Sequence, residues 1–219
     1  MLKLYHNPIS MNSRRVWMVL LEKKLEFDLV EMQLDGDQLQ PEFLAMNPLH
    51  HIPVLVDDGF NVVESLAILD YLEAKYPHPP LLPTDAKNLA VVRMVEMVTV
   101  NELMPAMNPL IFQMMGFAGG EDTHKLEQAK HKVAIVLQFL ENLLGDRPYF
   151  GSDQLTLGDI VAASAIPWLP NLGFPLMDYQ KLSAWTERLM TRPSWQATQP
   201  TPKMIAAFKS RMQALTAKQ

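Results

Sequence analysis

Short apolar runs fill the first third of the chain, at spacings typical of strands and helices. The strand candidates, which are rich in β-branched residues or alternate between apolar and polar positions, are Leu2–Tyr5, Phe27–Met32, Val54–Val56 and Asn61–Val63. Apolar positions in Met11–Lys24 recur at helical spacing, and another helix begins near Ser65. A helix between the first two strands predicts a parallel pair, and the turn residues Asp57–Gly59 predict an antiparallel pair. We therefore expect a small mixed sheet with helices.

The pattern changes after the prolines between Tyr76 and Pro83. Beyond them the apolar residues follow helical spacing, and the longer helices are predicted at Asp85–Met104, Glu121–Leu144, Leu182–Met190 and Lys203–Ala217. Pro105 and Pro109 predict an interruption after the first of these, and Gly116–Gly120 predicts a loop. The sequence thus predicts an α/β N-terminal domain at residues 1–77, a linker at 78–86 and an all-α domain at 87–219.

One segment of the second domain predicts a buried helix start. Thr156 and Asp159 have the spacing of a capping box, and Leu155 and Ile160 can pack across it. The small residues at 162–165 would let this helix pack closely against its neighbours. We therefore assign Asp159 a structural role rather than a catalytic one.

Composition and charge narrow the function. A formal net charge of −5 argues against a general nucleic-acid binder, which normally carries a basic face. The absence of cysteine excludes disulfides, a cysteine nucleophile and thiolate metal sites, so any thiol chemistry must use a thiol from the substrate. His124 and His131 could share a helix face, but two histidines do not define a metal site. Without a signal peptide or a run of about 18 apolar residues, we expect a cytoplasmic protein with no membrane partner.

Residues 51–72 have the features of an edge that binds an extended ligand. Pro53 stands before a predicted strand and cannot donate to its ladder, which leaves the backbone of Ile52 free to pair with a ligand. Glu64 and Ser65 lie at a helix start, where backbone N–H groups and the helix dipole favour a carboxylate. An ordinary hairpin followed by a capped helix is the alternative interpretation of the same residues.

Four motifs in this order resemble those of the soluble glutathione transferases. They are PISMNSRRV, QPEFLAMNP, IPVLVDDG followed by Glu64-Ser65, and the box LTLGDI, and the resemblance covers nearly the whole chain. The first three are most similar to the serine-type classes, phi and theta, and their bacterial or cyanobacterial relatives. The resemblance implies a thioredoxin-like N-terminal domain, an all-α C-terminal domain and a homodimer.

The resemblance also implies a catalytic hydroxyl. Glutathione is a poor nucleophile until its thiol loses a proton, and serine-type members stabilise the thiolate with a serine hydroxyl before the first helix. Ser10 matches that serine, four residues before the pair Arg14-Arg15. A plain helix cap is the alternative role of Ser10. Ser13 and Tyr5 are the rival hydroxyls.

Glutathione contacts follow from the same match. The backbone of Ile52, next to a cis Pro53, is expected to pair with the cysteinyl unit, and Glu64 and Ser65 are expected to hold the γ-glutamyl amine and carboxylate. His51 is either a carboxylate ligand or an exposed loop residue, and His50 is less favoured. Gln38 stands where the phi pattern has a group for the glycyl carboxylate, although Leu39 replaces the polar neighbour expected there.

An electrophile site is expected between the domains. Its candidate lining residues are Met11, Met97, Asn101, Met104, Met107, Phe112 and Trp168. Methionine adapts to varied apolar ligands, but core packing is the alternative for most of these side chains. Arg14 and Arg15 are interpreted as helix-surface charges, with Arg15 near the cleft as the alternative. Glu96 and Glu102 are interpreted as solvated or at a subunit interface.

The leading hypothesis is a homodimeric enzyme that conjugates glutathione to small hydrophobic electrophiles in detoxification. Glutathione is then the co-substrate and no cofactor is required, and a glutathione peroxidase side activity is possible. The alternative is a non-catalytic module of the same fold that serves in a stress response or in translation. A thiol-exchanging enzyme of the omega or beta type is disfavoured, because that reaction needs a cysteine near Ser10 and the chain has none.

Overall fold

The computed structural model describes residues 1–116 and 123–216. The chain divides into two compact units, Met1–Pro80 with Arg192–Gln219, and Leu81–Thr191. The sequence-based division kept residues 192–219 with the all-α domain, whereas here the chain returns to the first unit after Thr191.

A four-stranded mixed sheet forms the centre of the first unit. Its strands are β1 (Leu2–His6), β2 (Phe27–Glu31), β3 (Val54–Asp57) and β4 (Phe60–Val63), in the order β2-β1-β3-β4. β1 pairs with β2 in parallel, and both β1 with β3 and β3 with β4 are antiparallel. Leu4 lies opposite Leu55 and both are buried, so these two side chains lie in the core of the unit. The predicted mixed sheet is confirmed.

Helices make up most of the remaining structure. Within the described residues they are α1 (Met11–Glu22), α2 (Pro41–Met46), α3 (Ser65–Lys75), α4 (Ala86–Val98), α5 (Met104–Met115), α6 (Thr123–Leu144), α7 (Leu157–Ala163), α8 (Gln180–Met190), α9 (Pro193–Thr198) and α10 (Pro202–Thr216). α1 buries Val16, Val19 and Leu20, the apolar positions that predicted it. Short 3₁₀ segments at 37–39, 166–172 and 176–178 connect these elements.

The predicted interruption at Pro105 and Pro109 is wrong. A π-helical segment at Thr99–Leu103 joins α4 to α5, and α5 continues through both prolines to Met115. Pro105 lies in the first turn of α5, where a missing N–H costs little. Gly116 ends the helix in the left-handed conformation, with φ 76°. The rest of the loop predicted at Gly116–Gly120, and the predicted helix start at Glu121, lie outside the described residues.

The second unit has its polar centre at the start of α7. The Thr156 hydroxyl accepts a hydrogen bond from the N–H of Asp159, and the Asp159 carboxylate accepts one from the N–H of Thr156, which confirms the capping box. Asp159 is fully buried and also accepts from the N–H of Phe150 and from Nε1 of Trp185. Within the same unit α7 packs closely on α4, because a Cβ at Gly158 would lie 3.2 Å from the carbonyl oxygen of Val92.

Burial corrects the interpretation of Glu96 as a solvated or interfacial residue. The side chain of Glu96 is only 1% exposed within this chain alone, and it forms an ion pair with Arg93 at 2.8 Å.

Among the described residues, no helix combines the length and the apolar character that a membrane span requires.

Candidate active site

A cavity of about 380 Å³ lies wholly within the first unit. Six of its lining residues are those predicted for glutathione, Gln38, His51, Ile52, Pro53, Glu64 and Ser65, and three others are Asn12, Leu34 and His50. These residues come from α1, the connection after β2, the loop before β3 and the start of α3. Two amides, two imidazoles, one carboxylate and one hydroxyl therefore line an open pocket that is large enough for a small peptide.

Asn47 shapes the loop that carries the two histidines. Its side-chain amide donates to the carbonyl of His51 at 2.9 Å and accepts from the N–H of Leu49 at 3.1 Å. Its own carbonyl accepts from the N–H of His50 at 2.9 Å. Because both side-chain ends of Asn47 are occupied, the loop presents His50 and His51 side by side, with ring centroids 5.4 Å apart.

The backbone of Ile52 is available to a ligand. The Ile52–Pro53 peptide bond is cis, and Pro53 is buried directly before β3. Within the described residues neither the N–H nor the carbonyl of Ile52 forms a backbone hydrogen bond. An extended peptide could therefore pair with Ile52 as predicted from the sequence.

Glu64 and Ser65 line the cavity at the start of α3. Glu64 has φ 66° and ψ 115°, a left-handed conformation that is costly for a residue with a Cβ. This turn exposes the Glu64 side chain and places Ser65 as the first residue of α3, with 8% of its surface exposed. The N-terminus of an eleven-residue helix offers unpaired N–H groups and a favourable potential for an anion at this position.

Two consecutive arginines on α1 are both buried, so their interpretation as surface charges is wrong. Arg15 is fully buried, and its Nη1 lies 3.5 Å from the Ser65 hydroxyl. Arg14 points elsewhere in the same unit, where its guanidinium stacks 3.9 Å from the centroid of the Trp195 ring and donates to Thr198. Burial lowers the pKa of Arg14 to about 10.

Ser10 caps α1, as one of its two predicted roles requires. Its hydroxyl oxygen accepts from the N–H of Ser13 at 3.2 Å. A hydroxyl that accepts one hydrogen bond still has its own hydrogen to donate, and Ser10 donates it to no residue that the structure describes. Ser10 does not itself line the cavity, although Asn12 of the same turn does. Capping and donation to a thiolate are therefore compatible.

The rival hydroxyls are less available. Ser13 is fully buried, and its oxygen accepts from the N–H of Asn7 at 3.3 Å. Tyr5 packs edge-on against Phe43, with ring centroids 6.1 Å apart, in the core behind the sheet. Neither of them is among the residues that line the cavity.

Gln38 lines the cavity, but its neighbour Leu39 does not. The Gln38 side chain lines the pocket, and its oxygen accepts from the N–H of Gly36 at 3.2 Å. Leu39 is 52% exposed and does not line the cavity. It therefore does not replace the missing polar group with an apolar contact to a ligand. His50 lines the same cavity, which the sequence did not favour.

The electrophile candidates fall into both units. Met11 is half-buried at the start of α1 in the first unit. In the second unit Met97, Asn101 and Phe112 are exposed, Met104 and Trp168 are half-buried, and Met107 is fully buried. Core packing is therefore the role of Met107, and the other side chains retain accessible surface.

Two of the remaining histidines, His124 and His6, contact other side chains. Within residues 1–116 and 123–216 no three His, Asp or Glu side chains lie close enough to hold a metal ion. His124 instead pairs with Gln128 at 2.9 Å. His6, at the end of β1, is buried against Trp17, and burial lowers its pKa while the nearby Glu31 opposes that shift.

Three neighbours of the predicted site residues were not predicted from the sequence. Asn12 and Leu34 line the cavity, and Asn47 holds its histidine loop. Asn47 stands in the motif QPEFLAMNP, so the motif contained the signal, but its role becomes clear only from the bonds to His51 and Leu49.

Comparison with known proteins places this fold and site in one family. The N-terminal domain of glutathione S-transferase matches residues 4–80, and its C-terminal domain matches residues 103–193. Glutathione S-transferase 3 of Zea mays is 35% identical over 90% of this chain and 92% of its own. Glutathione S-transferase D7 of Drosophila melanogaster is 30% identical over 100% of this chain and 97% of its own.

A solved structure agrees with these relatives. A glutathione S-transferase of Methylobacterium radiotolerans, in complex with glutathione sulfonate, is 30% identical and covers 91% of this chain and 94% of its own, with a TM-score of 0.79. The chain belongs to the glutathione transferase family. Its two-part fold is that of the family, with glutathione as co-substrate and no cofactor.

Proposed function

We propose that this protein binds glutathione in the cavity of its first unit and conjugates it to small hydrophobic electrophiles. The observation that carries the proposal is the cavity itself, because six residues chosen from the sequence for glutathione line it together. Glutathione is an extended peptide with carboxylates at both ends, and this cavity is lined by the polar side chains of Asn12, Gln38, His50, His51, Glu64 and Ser65.

Each part of glutathione has a proposed partner. The free N–H and carbonyl of Ile52 pair with the cysteinyl unit, next to Pro53. Glu64 accepts from the γ-glutamyl ammonium, and Ser65 with the first N–H groups of α3 holds the γ-glutamyl carboxylate. Gln38, His50 and His51 hold the glycyl carboxylate at the opposite end, where the imidazoles compensate for Leu39.

Ser10 is the proposed catalytic residue. Its hydroxyl hydrogen donates to the glutathione sulfur, and the N-terminus of α1 adds a favourable potential, so the thiolate is stabilised relative to the thiol. The thiol proton leaves to solvent. With a carbon electrophile the thiolate then forms a carbon–sulfur bond, and with an aryl halide the halide departs with the bonding electron pair. With an organic peroxide the thiolate instead attacks oxygen and breaks the O–O bond, so that an alcohol leaves and glutathione sulfenic acid forms. A second glutathione then reduces the sulfenic acid, which gives glutathione disulfide and water. Ser10 forms no covalent bond at any stage.

The electrophile is proposed to contact Met11, which is half-buried at the start of α1 in the same unit as the cavity. Apolar accessible side chains and the flexibility of methionine support a broad range of apolar acceptors, including halogenated aromatics, isothiocyanates and organic peroxides. A glutathione peroxidase side activity would follow from the last class. Detoxification is the proposed physiological role, in the cytoplasm.

A homodimer of serine-type, phi- or theta-like subunits is the proposed assembly. The exposed apolar side chains of Phe60, Met94 and Met97 support an interface between copies. Sedimentation velocity tests the assembly, and a single species at the monomer mass would contradict it.

Retention on immobilised glutathione, with elution by free glutathione, tests the function. We expect retention, a thermal shift with millimolar glutathione, and turnover of a chlorodinitrobenzene. Absence of both retention and thermal shift would overturn the proposal. Binding without turnover of any of the three electrophile classes would favour a non-catalytic module.

A further inference from the structure

Arg15 stands out because a fully buried cation lies directly behind the candidate ligand cavity. Its guanidinium is 0% exposed, and its Nη1 lies 3.5 Å from the hydroxyl oxygen of Ser65. Ser65 lines the cavity, whereas Arg15 does not. Arg15 therefore can act on a ligand in the cavity through Ser65 and through its charge rather than by direct contact.

The direction of this contact determines what Ser65 can offer to a ligand. A guanidinium has donors and no acceptor, so the Ser65 oxygen must accept from Arg15. Ser65 donates its own hydrogen to no residue that the structure describes. Ser65 is thus 92% buried, its hydroxyl oxygen accepts from Arg15, and its hydroxyl hydrogen remains available to an acceptor on a ligand.

Charge adds to this orientation. A permanent positive charge beside Ser65 favours an anion at the same end of the cavity, and α3 presents its N-terminal N–H groups there. Because the cavity's lining residues at this end also include the acidic Glu64, a zwitterion with its carboxylate toward Ser65 and its ammonium toward Glu64 fits both charges.

We propose that Arg15 is a positioning residue that sets the recognition of the γ-glutamyl α-carboxylate through Ser65. This inference rests on the proposed function, because it assigns one end of glutathione to that site. Arg15 orients the Ser65 hydroxyl as a donor and supplies the buried charge that makes this donor selective for a carboxylate.

The matched control is the neighbouring residue. Arg14 is equally a buried arginine on α1, but it contacts Trp195 and Thr198 rather than Ser65. Arg14→Lys and Arg15→Lys both keep the charge and both lose the planar guanidinium. A loss of general stability would appear in both variants, whereas a change in carboxylate recognition would appear in Arg15→Lys alone.

The experiment measures two dissociation constants for each variant by calorimetry. One ligand is glutathione, and the other is an analogue in which a 4-aminobutyryl group replaces the γ-glutamyl unit and so lacks the α-carboxylate. In the wild type we expect the analogue to bind at least tenfold more weakly. Arg15→Lys should reduce that ratio about tenfold by weakening glutathione alone, and Arg14→Lys should leave it unchanged.

A double-mutant cycle separates positioning from direct contact. Ser65→Ala should remove most of the ratio, and Arg15→Lys should add little to Ser65→Ala because both act on one contact. An unchanged ratio in folded Arg15→Lys would overturn the inference and leave the proposed function standing. Wild-type protein that binds no glutathione would overturn both.

A measurement on the wild type covers the case in which Arg15→Lys does not fold. Equal affinity of the wild type for glutathione and for the analogue would overturn the inference, since no carboxylate is then recognised. A ratio of tenfold or more that Ser65→Ala abolishes supports it.

Discussion

The helix starts at Ser10 and at Thr156 are both capped by a side-chain hydroxyl, but they differ in whether the donors at the cap are already used within the protein. Ser10 caps α1 with one accepted hydrogen bond, and its own hydroxyl hydrogen is donated to no residue that the structure describes. Thr156 caps α7 inside a closed set of bonds, in which the Asp159 carboxylate accepts from the Thr156 N–H and from its hydroxyl. The capping hydroxyl of Ser10 only accepts, so its hydrogen remains available as a donor. The hydroxyl and the N–H of Thr156 both donate to the buried Asp159 carboxylate, so they stabilise the fold instead. The following predictions test that contrast.

Asp159→Ala should have the largest effect. Two backbone N–H groups, the Thr156 hydroxyl and the Trp185 indole donate to this buried carboxylate, and each donor left unsatisfied costs roughly 1–3 kcal/mol. We expect the free energy of unfolding to fall by about 4 kcal/mol. Urea denaturation measures it. Asp153→Ala, an exposed aspartate in the preceding segment, is the control and should change stability by less than about 0.5 kcal/mol.

Asp159→Ala should also leave the glutathione dissociation constant of the folded fraction unchanged, because the candidate binding residues lie in the other unit. A stability loss below about 1 kcal/mol would contradict the closed cap.

Ser10→Ala should lower turnover about a hundredfold, by analogy with loss of one donor to a developing anion. Stability should fall by only about 1 kcal/mol, the usual value of a cap. Initial rates with a chlorodinitrobenzene and calorimetry with glutathione separate kcat from affinity, and affinity should change little.

Ser13→Ala is the control for this change, since its oxygen is committed to Asn7 inside the core. It should lose stability without a comparable loss of turnover. If Ser13→Ala loses more turnover than Ser10→Ala, the catalytic assignment of Ser10 is wrong.

The pH dependence of stability should separate the two units. Burial raises the pKa of Asp159 to about 6 in the folded state, against 3.8 for the unfolded chain. The folded state therefore binds this proton more tightly, and the contribution of Asp159 to stability increases as the pH falls from about 7 to about 4, by roughly 2 kcal/mol. Denaturation of the wild type and of Asp159→Asn across this range isolates the effect. Parallel pH profiles of the two proteins would refute it.

Protonation of His6 should change the stability of the first unit by less than protonation of Asp159 changes that of the second, and in the opposite direction. Burial lowers its pKa, so the unfolded chain takes up this proton at a pH where the folded chain resists it. Stability should then fall as the pH drops below about 6.5. Hydrogen exchange of the β1 amides in the wild type and in His6→Phe measures this, with exposed His131→Phe as control. Equal acid sensitivity of wild type and His6→Phe would contradict the assignment.

The sheet, the start of α3 and the capping box were predictable because their signals are local. Pro53 before a β-branched run, Glu64-Ser65 before a helix and Thr156 three residues before Asp159 each determine structure within a few residues. The burial of Arg14 could not be predicted, because its partners Trp195 and Thr198 lie about 180 residues away in the sequence. His50 and Asn12 also required the folded loop, since nothing local distinguishes a residue that faces a cavity from one that faces solvent.

The return of the chain to its first unit has a consequence for the order of synthesis. A ribosome completes all four strands and α1 long before it makes Trp195, Thr198 and Arg192. Until then Arg14 lacks the ring on which it stacks, and Glu22 lacks the arginine with which it pairs at 2.6 Å. The nascent first unit must therefore wait, with a charged and incomplete helix face, until residues 192–198 have been synthesised.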